Sequence, residues 1–325
     1  MSIRISALVI ASLFALVTLA AHAQERSSYP SKPVKLFVST APGAPPDILA
    51  RLLGDKLAGN LGQAVIVENR PGASGTIGMN AVAKAPPDGY TLGILSMAYL
   101  TAPSLIANMP YNTEKDLSAV MLFARDSNLL VVPGASSARS VAELIAAAKA
   151  KPDFLKFASG GNSTPAHLAG ELFKRETGVD IVHVPYKGPV AGVAGLLAGE
   201  VDMMFGATGA VSPHIKSGKL RVLAASTPQR IPAFADVPTL VELGYPNVVV
   251  ANWFGVVAPA GTPKEVVSRL YIELQKVGAI PEFRQRLEAI GLESANAGPE
   301  EFAASIRSEL QKWNKVVRDA GIKAD

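Results

Sequence analysis

The stretch FVSTAPGAPPDILARLL, residues 37–53, decides the fold. An apolar run at 34–38 breaks into a loop with prolines at 42, 45 and 46 and a glycine at 43, and a helix starts at once with Asp47 in its first turn. Strand, short loop and helix N-terminus is a common way to build an anion site. The first amides of a helix lack internal partners and sit at the positive end of its dipole. Proline has no N–H to give, so Thr40, Ala41, Gly43 and Ala44 must supply this loop's donors.

The same unit recurs along the chain. Apolar runs at 64–68, 91–95, 155–158, 180–184 and 201–205 alternate with helical segments, which predicts an α/β protein with largely parallel sheets. Ser140 and Glu143 form a capping box, and Thr164-Pro165 and Thr262-Pro263 read as N-cap and first-turn pairs. A terminal helix at 299–319 carries Phe302, Ile306, Leu310, Trp313 and Val317 on one stripe, a packing face. No low-complexity linker divides the chain. Two lobes are expected, with crossings near 125–129 and 249–253: residues 29–127 plus 250–325 form lobe 1, and 128–249 form lobe 2.

The N-terminus predicts export. Arg4, an apolar run at 7–19 and Ala21-His22-Ala23 have the pattern of a signal peptide cleaved after Ala23, because about 13 apolar residues fall short of the roughly 20 that span a bilayer. Cysteine is absent, which excludes disulfides, thiol catalysis and zinc–thiolate sites. The formal charge of +4 loses one with Arg4, and no basic run marks a nucleic-acid groove. His167, His183 and His214 show no metal-ligand spacing. Around Ser74 the G-x-S-x-G pattern fails at Thr76, so hydrolase machinery is not visible. No catalytic residue, metal or cofactor is expected.

Three further loops follow strands and lead into helices. In ENRPGASGTIGMNAVAKAPPDGYTL (68–92), Ala73, Ser74 and Gly75 bring amides and a hydroxyl to a helix start. The spacing G-x-x-G-x-x-G is not that of a dinucleotide site, and a plain tight turn remains the alternative. In KFASGGNSTPAHLAGELF (156–173), Ser159, Gly160, Ser163 and Thr164 make a second oxyanion loop. Tyr186, in VPYKG, is placed to line a cleft, and Ala207 ends a strand at the same edge. Ligands of open α/β sheets bind beyond the C-terminal ends of strands, so two such sheets facing each other would enclose a small anion.

In this order, YPSKPVKLFV, ENRPGASGTIG, PPDGYTL, HLAGELFK, VPYKG, VDMMF, DVPTLVELG and WFGVVAPAGTP resemble the Bug family of periplasmic solute receptors, the extracytoplasmic subunits of tripartite tricarboxylate transporters. The resemblance spans residues 29–323. It implies a two-lobed flytrap fold, a non-enzymatic monomer that binds a small carboxylate and delivers it to membrane permease subunits. A receptor reporting the same solute to a sensor kinase is the alternative. It also implies that Thr40, Ala41, Gly43, Ala73 and Ser74 hold one carboxylate. Ser159, Gly160, Ser163 and Thr164 take the rest of the ligand, and Asp47 reads an amino or hydroxyl group or positions water. The chain departs from the family at Ala44-Pro45-Pro46 and at Ala191-Gly192 and Gly195. These positions suggest a ligand with a less polar middle, an aromatic or aliphatic carboxylate.

Overall fold

The computed structural model describes residues 29–106, 108–162 and 164–319. The expected signal peptide and Ser163 lie outside these residues. The first sheet joins β1 (Val34–Val38), β2 (Val65–Asn69), β3 (Thr91–Ser96), β4 (Leu117–Asp126), β10 (Asn252–Pro259) and β11 (Leu292–Ala297) in the order β11-β4-β10-β3-β1-β2. The second joins β5 (Asn128–Pro133), β6 (Lys156–Ser159), β7 (Val182–Pro185), β8 (Met203–Ala207) and β9 (Leu220–Ala225) in the order β7-β6-β8-β5-β9.

Helix α1 (Pro45–Leu61) shows how the sequence builds these layers. Its two prolines fill first-turn positions where an N–H has no helical partner, Asp47 meets the positive dipole end, and Gly62 closes the helix in the left-handed conformation. Leu49, Leu53 and Leu57 recur at helical spacing and are fully buried against Val34, Leu36 and Val38 of β1. Burying each leucine is worth roughly 1.5–3 kcal/mol. The terminal helix α11 (Pro299–Asp319) buries Phe302, Ile306, Leu310, Trp313 and Val317, the stripe its periodicity predicts. Among the described residues no helix is long and apolar enough to cross a membrane.

The sheets are mixed rather than largely parallel. Strands β1, β2 and β3 run parallel, as do β6, β7 and β8. Strand β10 is antiparallel to β3 and β4, and β5 is antiparallel to β8 and β9. The cause is the crossing itself. The chain leaves the first sheet along β4 and returns along β10 beside it, and an outgoing strand next to its return must be antiparallel. Thr262 also differs from expectation: its hydroxyl donates to Pro259 O, and Pro263 is the N-cap of α9 (Lys264–Ala279).

Only Ser127 separates β4 from β5, and the outgoing and returning segments are clasped together. Asn128 Nδ2 donates to Val250 O at 3.0 Å, Val250 N–H donates to Ser226 O at 3.0 Å, and Ser226 N–H donates to Asn128 O at 2.9 Å. Beside this clasp, Gly291, before β11, meets Gly209 in the first turn of α8 (Thr208–Lys216), backbone against backbone. A side chain at Gly291 would collide with Gly209, and its φ of +78° is itself unfavourable for other residues.

Candidate functional site

The first loop is built around Asp47, whose side chain is only 3% exposed. Its Oδ2 accepts from Gly43 N–H at 2.8 Å and Arg51 Nε at 3.1 Å, and its Oδ1 accepts from Asn69 Nδ2 at 2.9 Å. Arg51 adds an ion pair at 3.0 Å, and Asn69 Nδ2 also reaches Thr40 O. Burial pushes the carboxyl pKa up, but the bonds from Arg51, Gly43 and Asn69 outweigh it and hold the pKa below the ordinary value. Asp47 is therefore occupied as the brace of its own loop. The amides of Gly43 and Ala44 are also taken, by Asp47 and by Ala41 O, so they do not turn outward as the sequence suggests.

The second loop leads into α2 (Thr76–Ala83) through a single 3₁₀ turn at Ala73–Gly75. Ala73 has φ +46° and Gly75 φ +88°, and positive φ at a residue with a Cβ is a local cost that the surrounding structure must hold. A side chain at Gly75 would run into the ring of Tyr99 on α3 (Met97–Leu105), and one at Gly78 would strike Ser39 Oγ. These close approaches press the two loops and Tyr99 together. Ser39 Oγ, Thr40 Oγ1 and Tyr99 Oη are buried here without a hydrogen-bond partner among the described residues. Burial pushes the Tyr99 phenol up to about 12, opposed by loose side-chain interactions with Ser39 and Ser96 that fall short of hydrogen-bond geometry. The phenol therefore stays neutral and able to donate.

The second sheet contributes a loop of similar design. Ser159 ends β6, and α6 (Pro165–Thr177) begins after Thr164. The hydroxyls of Ser159 and Thr164 both donate to Gly161 O, at 2.9 and 2.7 Å. Thr164 is the N-cap residue, yet its side chain makes no capping bond. Gly160 lies against Gly188 and Pro189 at the start of α7 (Pro189–Ala198), and its carbonyl accepts from Gly188 N–H at 3.1 Å. Ala207 ends β8 as the N-cap of α8, while Thr208 N–H and Oγ1 both bond Ser127 O at the crossing.

Tyr186 is placed otherwise than expected. Its ring lies along α7, and its hydroxyl donates at 2.8 Å to Glu200, just past the end of α7 remote from the loop. A side chain at Gly195 would occupy the position of the Tyr186 phenol, and one at Gly192 would press on Met204 and Ser159 O. These two glycines make room for packing, so they carry no information about ligand polarity. The sequence reading also missed Ser39, Tyr99 and His183. Ser39 stands at the end of the first strand run, and that position was its only sequence signal.

The model of the tripartite tricarboxylate transporter family receptor matches residues 49–322. The chain belongs to this receptor family. Its relative BugT of Bordetella pertussis is 37% identical over 298 residues, covering 91% of each chain. Among solved structures, the periplasmic binding protein BugD matches with TM-score 0.76 and 34% identity, over 91% of this chain and all of that one. Rpa4515 of R. palustris with adipate matches with TM-score 0.78 and 35% identity, over 91% and 99% of the two chains. MatC of Rhodopseudomonas palustris with bound malate matches with TM-score 0.75 and 30% identity, over 89% and 100%. The two-sheet architecture of this receptor is thus the two-lobed fold of periplasmic binding proteins, and the family is one of receptors rather than enzymes.

Proposed function

We propose that this receptor captures a small carboxylate between its lobes in the periplasm and hands it to the membrane subunits of a tripartite tricarboxylate-type transporter. The observation that carries the reading is that Ser39 Oγ, Thr40 Oγ1 and Tyr99 Oη are buried without a well-formed hydrogen bond among the described residues, Ser39 and Tyr99 being packed against the second loop and the helix it opens. An unmet buried hydroxyl costs about 1–3 kcal/mol, and a carboxylate, directly or through water, would supply such a group with a partner. Adipate and malate in the related structures are carboxylates of this class.

In this reading lobe 1 comprises residues 29–127 and 250–325, lobe 2 comprises 128–249, and a signal peptide ending at Ala23 directs export of a monomer. The trio, with Ala41 and the Ala73, Ser74 and Gly75 turn, holds one carboxylate. From lobe 2, Gly160, Thr164 and Ala207 would face it, Ser163 is proposed to join them, and Ser159, fully buried, would support the loop from behind. The apolar Ala44-Pro45-Pro46 segment favours an aliphatic or aromatic acid over a hydroxylated tricarboxylate. A thermal-shift screen with malate, adipate, citrate and benzoate tests this. A binder at a hundredfold over its Kd stabilises the folded state by about 2.7 kcal/mol. No shift with any of them would overturn the carboxylate reading, and citrate binding far above adipate and benzoate would overturn the finer one.

A further inference from the structure

His183, on the edge strand β7, lies opposite Phe157 and diagonally across from Ser159 on β6. Its ring is stacked on His167 of α6, centroids 4.0 Å apart at 10°, and on Phe157, 4.8 Å apart at 26°. Packing thus fixes the ring with Nε2 at 2.7 Å from Ser159 Oγ. We propose that His183 is a positioning residue of the lobe-2 half-site, setting the hydroxyl of Ser159 and through it the loop that faces the ligand.

Proton counting carries the argument. Ser159 Oγ has one proton, and among the described residues it bonds Gly161 O at 2.9 Å, accepts from Gly161 N–H at 3.1 Å and touches His183 Nε2. If the serine proton lies on Gly161 O, His183 must hold its own proton on Nε2 and donate it. An Nε2–H on His183 would thus keep the Ser159 proton on Gly161 O, where Thr164 Oγ1 also donates. A carbonyl whose lone pairs are taken by two hydroxyls repels an incoming carboxylate less. Gly161 can hold its carbonyl there because its φ is +124°, open chiefly to glycine. On α6 the stack also meets Glu171, whose Oε1 is 3.9 Å from His167 Nε2, and Lys174, 3.4 Å from Glu171.

Two substitutions separate positioning from packing. His183→Phe keeps the stack and removes the donor, whereas His183→Gln can restore an amide donor near the Nε2 position. We expect His183→Phe to weaken the tightest binder among malate, adipate, citrate and benzoate by about tenfold, as loss of one buried hydrogen bond implies. We also expect it to speed amide exchange of residues 160–164 in the unliganded receptor. His183→Gln should bring both measures back toward wild type. Wild-type values in His183→Phe for either measure, or no recovery in His183→Gln, would overturn the role. Nitrogen-15 spectra of the wild-type histidines give a readout free of folding defects: the Nε2–H tautomer of His183 supports the role, and the Nδ1–H tautomer sinks it. The inference rests on the carboxylate reading. If no acid in the panel binds the wild type, that reading falls, while the exchange and tautomer measurements still decide the role of His183.

Discussion

Two regions of the receptor each hold an aspartate with a buried carboxylate oxygen, and the two behave in opposite ways. In the first loop, Asp47 collects bonds from Gly43, Asn69 and Arg51, and its pKa falls below the ordinary value. At the crossing between the sheets, Asp126 ends β4 with Oδ1 buried and unpartnered. Burial pushes its pKa up to about 7 against the backbone N–H of Thr208, and the nearby charge of Glu293 adds to the rise. Burial opposes the charge in both cases. What differs is the number of donors aimed at the carboxylate. Asp47 therefore stabilises a loop that must keep one shape, while the ionised Asp126 costs stability in the conformation seen here.

The largest effect should come from Asp47→Ala. It strips the partners from Gly43 N–H and Asn69 and unties the loop that carries Ser39 and Thr40. A loss of about 2–4 kcal/mol in stability is expected, in the range for a broken buried charged network, together with more than tenfold weaker carboxylate binding. The pH sign follows from the depressed pKa. The contribution is present above the unfolded carboxylate value, about 3.9, and is lost as pH falls through the lower folded value. Urea melts of wild type and variant should thus lie far apart at pH 7 and converge in strong acid. A gap unchanged down to pH 2 would show that Asp47 acts through packing alone.

Asp126→Asn should act with the opposite sign and a smaller size. A folded pKa raised above the unfolded one means that the folded state holds the proton better. The penalty is fully present above about pH 7 and is relieved as pH falls toward the ordinary carboxylate value. The variant should be more stable than wild type at pH 8, by on the order of 1 kcal/mol, and indistinguishable near pH 3. Equal or lower stability at pH 8 would mean that Asp126 has partners the static geometry does not reveal, and the contrast with Asp47 would fail.

The legibility of the chain divides along the same line. The loop–helix unit at 37–53 could be read because its signals are local: an apolar run, prolines at a helix start and leucines at helical spacing. Helix α11 was readable for the same reason. Strand β11, Leu-Glu-Ser-Ala-Asn-Ala, was not, since its composition is polar and its pairing with β4 is non-local. Helix α3 was missed because Pro103 inside it reads as a breaker. At the site, the glycine-rich loops announced themselves, but the uses of their side chains did not. Asp47 was read as facing a ligand because Asn69, which occupies it, comes 22 residues later. Gly195 was read as a sign of a less polar ligand because nothing in the sequence puts the Tyr186 phenol over it.

Arg51→Gln should give the smallest effect and sharpens what braces the first loop. Arg51 supplies an ion pair and a hydrogen bond to Asp47, yet its side chain is half-exposed, so solvent and salt screen its charge. Gly43 N–H and Asn69 remain on the carboxylate without it. The melting temperature at pH 7 should stay within about 2 °C of wild type, the usual range for a surface substitution, with carboxylate affinity nearly unchanged. The acid limb should move toward higher pH, because a hydrogen bond and a positive charge that lower the Asp47 pKa are gone. Adding salt to the wild type should reproduce only the part due to charge. If Arg51→Gln instead costs as much as Asp47→Ala, the exposed ion pair, rather than the buried donors, holds the loop, and the distinction between the two aspartates would rest on a neighbouring cation instead of on the number of donors.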